Sequence, residues 1–227
     1  MIKNLINLLF PAICNGCNTL LLTNESVLCS KCRHDLPFTN HYLAKDNETF
    51  KKFYGRLPVS HASSVVYFHK KGIVQQLIHN LKYKGAEEVG TLFGMLYYSK
   101  LKEIHAFEKF DLVIPVPLHK KKQNERGYNQ ITQFGTALAS GLEIPFNENL
   151  LIRKLYSKTQ TKKNLLDRTE INPTLFEAKF SEKDHGKHFL LVDDVITSGA
   201  TLEACGKALL EIPNAKVSII TIAFAHS

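Results

Sequence analysis

The stretch LLVDDVITSGAT, residues 190 to 201, decides how this chain folds. With Phe189 before it, the opening forms an unbroken apolar run, the pattern of a strand buried on both faces. The run meets two adjacent aspartates, Asp193 and Asp194, whose carboxylates repel. Small and hydroxylated residues follow, and a helical pattern resumes through Leu202, Cys205 and Leu209. A buried strand that turns directly into a helix belongs to a parallel sheet with helices packed on it. In such sheets ligands bind beyond the carboxyl ends of the strands. The expectation is therefore that Asp193 and Asp194 sit where a strand ends, with TSGAT as the turn into the helix.

That turn has the chemistry of an anion site. Free N–H groups at a helix start, with the hydroxyls of Thr197, Ser198 and Thr201, suit a phosphate monoester. Gly199 lets the backbone close around it, and Ala200 adds no bulk. Carboxylates cannot share that phosphate without cost, so they are expected to face sugar hydroxyls or a magnesium-bound polyphosphate. A ribose 5-phosphate carrying pyrophosphate at C1 supplies all of these groups.

Working outward, the same alternation recurs. ASSVVYFH (62–69) reads as a strand. GIVQQLIHNLKYKG places Ile73, Leu77 and Leu81 on one helical face and stops at Gly85. A helix over 87–101, a short strand in FDLVIPVP (110–117), a helix over 128–140, a strand in LLIRKL (150–155) and a closing strand in AKVSIITIAFA complete an α/β parallel sheet flanked by helices. Cys205, on an apolar helical face, reads as core.

At the front, Cys14, Cys17, Cys29 and Cys32 form two C-x₂-C pairs separated by eleven residues. Each pair can bend around one ion, and together they make a closed tetrahedral site for structural Zn²⁺. Two disulfides or a redox pair are the competing readings. An export signal, which disulfides call for, is not evident. The chain thus divides into a small zinc-ribbon module with an N-terminal amphipathic helix (1–38), a polar linker (39–61) and the larger domain (62–227). The sequons at 24–26 and 47–49 read as chance matches.

The 227 residues are 44% hydrophobic and 22% charged, as in an ordinary soluble protein. The formal charge is +8, and zinc held by four thiolates would bring it to about +6. That balance favours anionic partners, phosphate esters or nucleic acid. The N-terminal apolar run is too short for a membrane span and is interrupted by Pro11, so the expected location is cytoplasmic.

LLVDDVITSGATL resembles the phosphoribosyl-pyrophosphate (PRPP) motif of type I phosphoribosyltransferases. The whole chain resembles the ComF family of competence-associated proteins, in which a four-cysteine zinc module precedes a transferase-like domain. LKYKG (81–85), PVPLHKKKQNERGYNQ (115–130), and Gln160, Leu165, Arg168 and Asn172 also carry the likeness. It implies that Asp193 and Asp194 hold the ribose 2- and 3-hydroxyls and that Thr197 to Thr201 hold the 5-phosphate. The PVPLHKKK turn is similar to a pyrophosphate loop, with Lys120, Lys121, Lys122 or Arg126 opposing the leaving group. His119 has two readings, a donor to pyrophosphate or a structural hydrogen bond.

RKLYSKTQTKKNLLDR is placed like the family's mobile flap. Mg²⁺ would arrive with PRPP. Thr197 stands where purine-salvage members place an acid, which speaks against hypoxanthine or guanine as acceptor. The start Met1-Ile2 speaks against a complete glutamine-using enzyme. The resemblance further implies single-stranded DNA and a helicase-like competence partner. The readings left open are a transferase with an unidentified acceptor, a PRPP-binding sensor or DNA-handling factor without turnover, and a zinc-ribbon nucleic-acid binder with a vestigial site.

Overall fold

A computed structural model describes residues 11–103, 109–154 and 175–226. The N-terminal helix, most of the flap segment, and Gln160, Leu165, Arg168 and Asn172 lie outside the described residues.

Four strands form the main sheet: β1 (Ala62–Phe68), β2 (Leu112–Pro115), β5 (His188–Ile196) and β6 (Lys216–Ala225). They lie in the order β1-β6-β5-β2, and all three pairings are parallel. The two strands with the longest apolar runs, β5 and β6, take the centre. Leu190, Leu191, Val217, Ile219 and Ile220 are fully buried there, as continuous Val/Ile/Leu runs require when both faces are covered.

Helices α3 (Ile73–Tyr83), α4 (Glu88–Lys102) and α6 (Thr132–Leu142) belong to one buried cluster, with Val113, Leu190 and Val192. Helix α7 (Ala200–Leu210) belongs to a second, with Leu112, Ile114, Phe189 and Leu191. Cys205 is fully buried in that second cluster.

The expected strand in LLIRKL exists as β3 (Leu151–Arg153), but it is not part of the parallel sheet. It pairs antiparallel with β4 (Phe176–Ala178), a three-residue strand too short to show a period in sequence. A second correction concerns the aspartates. Strand β5 does not end at them; it runs on to Ile196, held by pairs from Asp193–Thr221 through Ile196–Phe224 on β6. On the other side β2 stops early. Its last strand pair is Pro115–Val192, followed by one hydrogen bond from Val116 N–H to Val192 O. The acidic pair therefore sits on a strand paired on one side only, beyond the point where its pairing with β2 ends.

Residues 39–61, which read as linker, are packed rather than free. They include a 3-10 turn at His41–Leu43 and helix α2 (Glu48–Lys51). The Asn47 amide donates to the carbonyls of Ala62 at 2.8 Å and Ala44 at 2.9 Å. The hydroxyls of Thr49, Ser64 and Thr221 are linked at 2.7 Å each, fully buried. Leu57 lies against α7 where a Cβ on Gly206 would come within 2.4 Å of it, so a larger residue there would force Leu57 to shift. A polar segment looks solvent-exposed in sequence because the partners that satisfy it, here largely on β1, follow no local pattern.

Candidate phosphate and metal sites

Along a strand successive side chains point to opposite faces, and this separates the two carboxylates. Asp194 is buried and spends both oxygens within the protein: Oδ1 takes the Lys82 ammonium at 2.9 Å and Oδ2 the Gln130 amide at 2.7 Å. Gln130 in turn accepts from Arg126 Nη1 at 2.5 Å, so a relay of contacts ties α5 (Lys120–Arg126) to the strand. Asp193 keeps partial exposure and, with residues 195–202, lines a small cavity of about 50 Å³. Its Oδ1 accepts the Asp194 N–H at 2.8 Å. Burial, then the neighbouring Asp194 charge, push its carboxyl up to about 8, against the pull of that N–H, Lys82 and Lys122. The pair is thus one structural anchor and one accessible acid. Lys82 and Gln130, whose part in this was not read from the sequence, were visible only as members of LKYKG and of the 115–130 segment.

Thr197, Ser198, Ala200 and Thr201 are exposed. Gly199 takes φ +76°, a left-handed conformation that side chains rarely adopt, and caps α7. The first-turn N–H groups of α7 lack intrahelical acceptors, and the positive end of the helix dipole lies beneath them.

PVPLHKKK is not an open loop throughout. Lys120 to Arg126 coil into α5, and His119 caps it, its Nδ1 accepting the Lys121 N–H at 3.2 Å. The ring therefore makes a structural hydrogen bond. Lys120, Lys121 and Lys122 are exposed on this helix, and Arg126 stacks 5.1 Å from the Tyr83 ring centroid. Between α5 and β3 lies a cavity of about 560 Å³, whose walls include Lys120, Tyr128, Asn129, Glu148 and Arg153.

The sulfurs of Cys14, Cys17, Cys29 and Cys32 all lie within 4.8 Å of one another, and none is in a disulfide. Cys17 and Cys29 Sγ are 3.7 Å apart, close to the ~3.8 Å edge of a tetrahedron with ~2.3 Å metal–sulfur bonds. Backbone N–H groups of Gly16 and Cys29 point at Cys14 Sγ (3.4 and 3.3 Å), and that of Cys32 at Cys29 Sγ (3.4 Å). Such donors stabilise thiolate charge, and the cluster fits a metal. His34, 90% exposed, pairs with Asp35 instead.

A family model described as the phosphoribosyl transferase domain matches residues 132–227. Among curated relatives, Competence protein ComFC of Bacillus subtilis (strain 168) is 26% identical over 199 residues, covering 88% of this chain and 78% of that protein. Competence protein F of Haemophilus influenzae is 26% identical over 222 residues, 93% of this chain and 96% of that one. DNA utilization protein YhgH of Escherichia coli (strain K12) is 24% identical, covering 91% and 88%. Similar solved structures include adenine phosphoribosyltransferase of Saccharomyces cerevisiae, at 17% identity and TM-score 0.37, covering 62% of this chain and 69% of that one. Another is the glutamine PRPP amidotransferase of B. subtilis, at 18% and 0.38, covering 62% and 30%. Among the described residues no helix is long and apolar enough to cross a membrane.

Proposed function

Given that the chain belongs to the ComF family and carries a type I phosphoribosyltransferase fold, we propose that it binds PRPP and transfers the phosphoribosyl group to an acceptor. The observation that carries this reading is the exposed TSGAT turn opening α7, with the accessible Asp193 carboxyl beside it. Residues 197–201 hold the 5-phosphate through N–H groups and hydroxyls. Asp193 accepts from the ribose hydroxyls, and Asp194 acts through Lys82 and Gln130 as the strut that keeps α3 and α5 over the site. Lys120, Lys121, Lys122 and Arg126 oppose the pyrophosphate. The C1–oxygen bond to pyrophosphate breaks with its electrons leaving on the phosphate, and an acceptor lone pair forms the new bond to C1. The cavity beside α5 is the acceptor's place.

Mg²⁺, arriving on PRPP, supplies charge neutralisation to the leaving group. For the chain itself the chemistry is positioning and electrostatic stabilisation. The four-cysteine cluster holds structural Zn²⁺. The work belongs to natural competence and DNA uptake in the cytoplasm; relatives named as competence and DNA utilization proteins support the link to competence and DNA. They, with the net charge of +8, favour a second reading in which PRPP is sensed without turnover while the protein handles single-stranded DNA beside a helicase-like partner.

Calorimetry with PRPP and Mg²⁺ is expected to show saturable binding at millimolar ligand or below. Asp193 is largely protonated at pH 7 when free and must ionise to accept from the ribose, so binding is expected to release close to one proton near pH 7 and to tighten as pH rises to about 8. Repeating the titration in buffers of different ionisation enthalpy reads that proton. Silence at millimolar PRPP would end both readings. Pyrophosphate release with candidate acceptors separates them, and salt-sensitive binding of a single-stranded oligonucleotide favours the second.

A further inference from the structure

We infer that Arg56, in the segment joining the cysteine module to the sheet, is a positioning residue for the phosphate turn, an inference that rests on the PRPP reading above. Its guanidinium makes contacts in three directions. Nη1 donates to the Ser198 carbonyl at 2.8 Å and to the Lys52 carbonyl at 3.1 Å, while Nε donates to Glu203 Oε2 at 2.9 Å. The second terminal nitrogen also reaches that carboxylate oxygen. One side chain thus bridges a segment about 140 positions earlier in the chain to the middle of the turn and to the first turn of α7.

Two consequences follow for an anion at residues 197–201. A carbonyl that swung into the turn would repel phosphate. Arg56 holds the Ser198 carbonyl toward itself, away from the anion's position. The second is electrostatic. Glu203 lies in the first turn of α7, the end where a helix favours negative charge, so its carboxylate competes with phosphate for the same field. Lys207 takes Oε1 at 2.7 Å and Arg56 takes Oε2, and these partners keep Glu203 ionised but neutralised. Phe53 and Lys52, four residues or fewer from Arg56, lie 3.5 and 3.7 Å from where a Cβ on Gly199 would stand, so the same segment backs the turn from below. The planar fork is suited to serving a carbonyl and a carboxylate together; an ammonium is a point charge and cannot span both.

The test is calorimetry of the full chain with PRPP and Mg²⁺ for the parent, Arg56→Ala, Arg56→Lys and the double variant Arg56→Ala with Glu203→Gln, with melting temperature and zinc content followed in parallel. Arg56→Ala is expected to weaken PRPP about 10- to 30-fold while keeping its zinc. Arg56→Lys, which keeps the charge and loses the fork, is expected to fall between. Removing the Glu203 charge in the alanine background is expected to recover at least threefold, a gain that a merely structural role would not give. Should Arg56→Ala fail to fold, Arg56→Lys decides. Binding within twofold of the parent for Arg56→Lys in that case, or for both single variants otherwise, overturns the inference, as does a weakened alanine variant with no recovery from Glu203→Gln. A parent that binds while Arg56 variants are unaffected removes this inference alone; a parent that does not bind removes the PRPP reading and this inference with it.

Discussion

Asp193→Asn is expected to melt higher than the parent at pH 8 and to lose PRPP. The folded carboxyl titrates at about 8, against an ordinary value of 3.8. The native state therefore binds more protons than the unfolded chain throughout that interval. Stability is greatest at the acid end, falls as pH rises from about 4 to 8, and is fully lost as a contribution above that. Asparagine keeps the shape and can still accept the Asp194 N–H through its oxygen, but it never ionises. With the Asp194 charge sharing the effect, a gain of about 2 kcal/mol at pH 8 is expected, vanishing toward pH 4. In a chain of this size that is a rise of about 4–8 °C.

The next residue is expected to respond in the opposite sense. Asp194→Asn leaves the largely covered Lys82 ammonium without its carboxylate and is expected to cost about 3 kcal/mol. Thermal melts of both variants from pH 5 to 9 check the pair. An Asp193→Asn protein that melts lower than its parent at pH 8 would show that this carboxyl is not held protonated.

Removing the metal is expected to have the larger effect on the fold. Cys14 and Cys32 are buried in one cluster with Val74, Leu77 and Leu81 of α3. Asn15 reinforces the junction: its carbonyl accepts from Asn80 at 3.0 Å, and its amide donates to Glu88 at 3.2 Å. Structural zinc contributes about 10–16 kcal/mol in isolated finger peptides. Here part of that is replaced by packing on α3, so Cys14→Ser or a strong chelator is expected to lower stability by about 4 kcal/mol or more and the melting temperature by about 10 °C. Metal analysis should give about one zinc per chain in the parent and little in the variant. Protein that is metal-free as purified, and melts unchanged in chelator, would show that the four sulfurs close no metal site.

The parts of this molecule that are local in sequence were legible there. The paired C-x₂-C knuckles, the apolar runs of β5 and β6, the glycine at the left-handed cap of α7 and the buried Cys205 each declare themselves within about twenty residues. What sequence left unread depends on distance. Lys82 and Asp194 are 112 positions apart, and Gln130 and Asp194 are 64 apart. No local pattern announces such a pairing. The alternation of a strand was available to show that adjacent carboxylates diverge, but only a strand known to continue to Ile196 makes the rule apply to them. Strand β4 has three residues and a partner 25 positions away. The 39–61 segment looked like solvent-exposed chain because Asn47, Thr49 and His41 are polar, and polar residues read as buried only once their acceptors are in view.

Leu57 in the notch at Gly206 has a bearing on how such a protein can be reshaped over generations. A gene fusion that kept the chain from Ala62 onward and exchanged everything before it would lose both Leu57 at that notch and the Arg56 bond to the Ser198 carbonyl. An exchange of the front is therefore expected to need compensating changes on α7 and at the turn behind it.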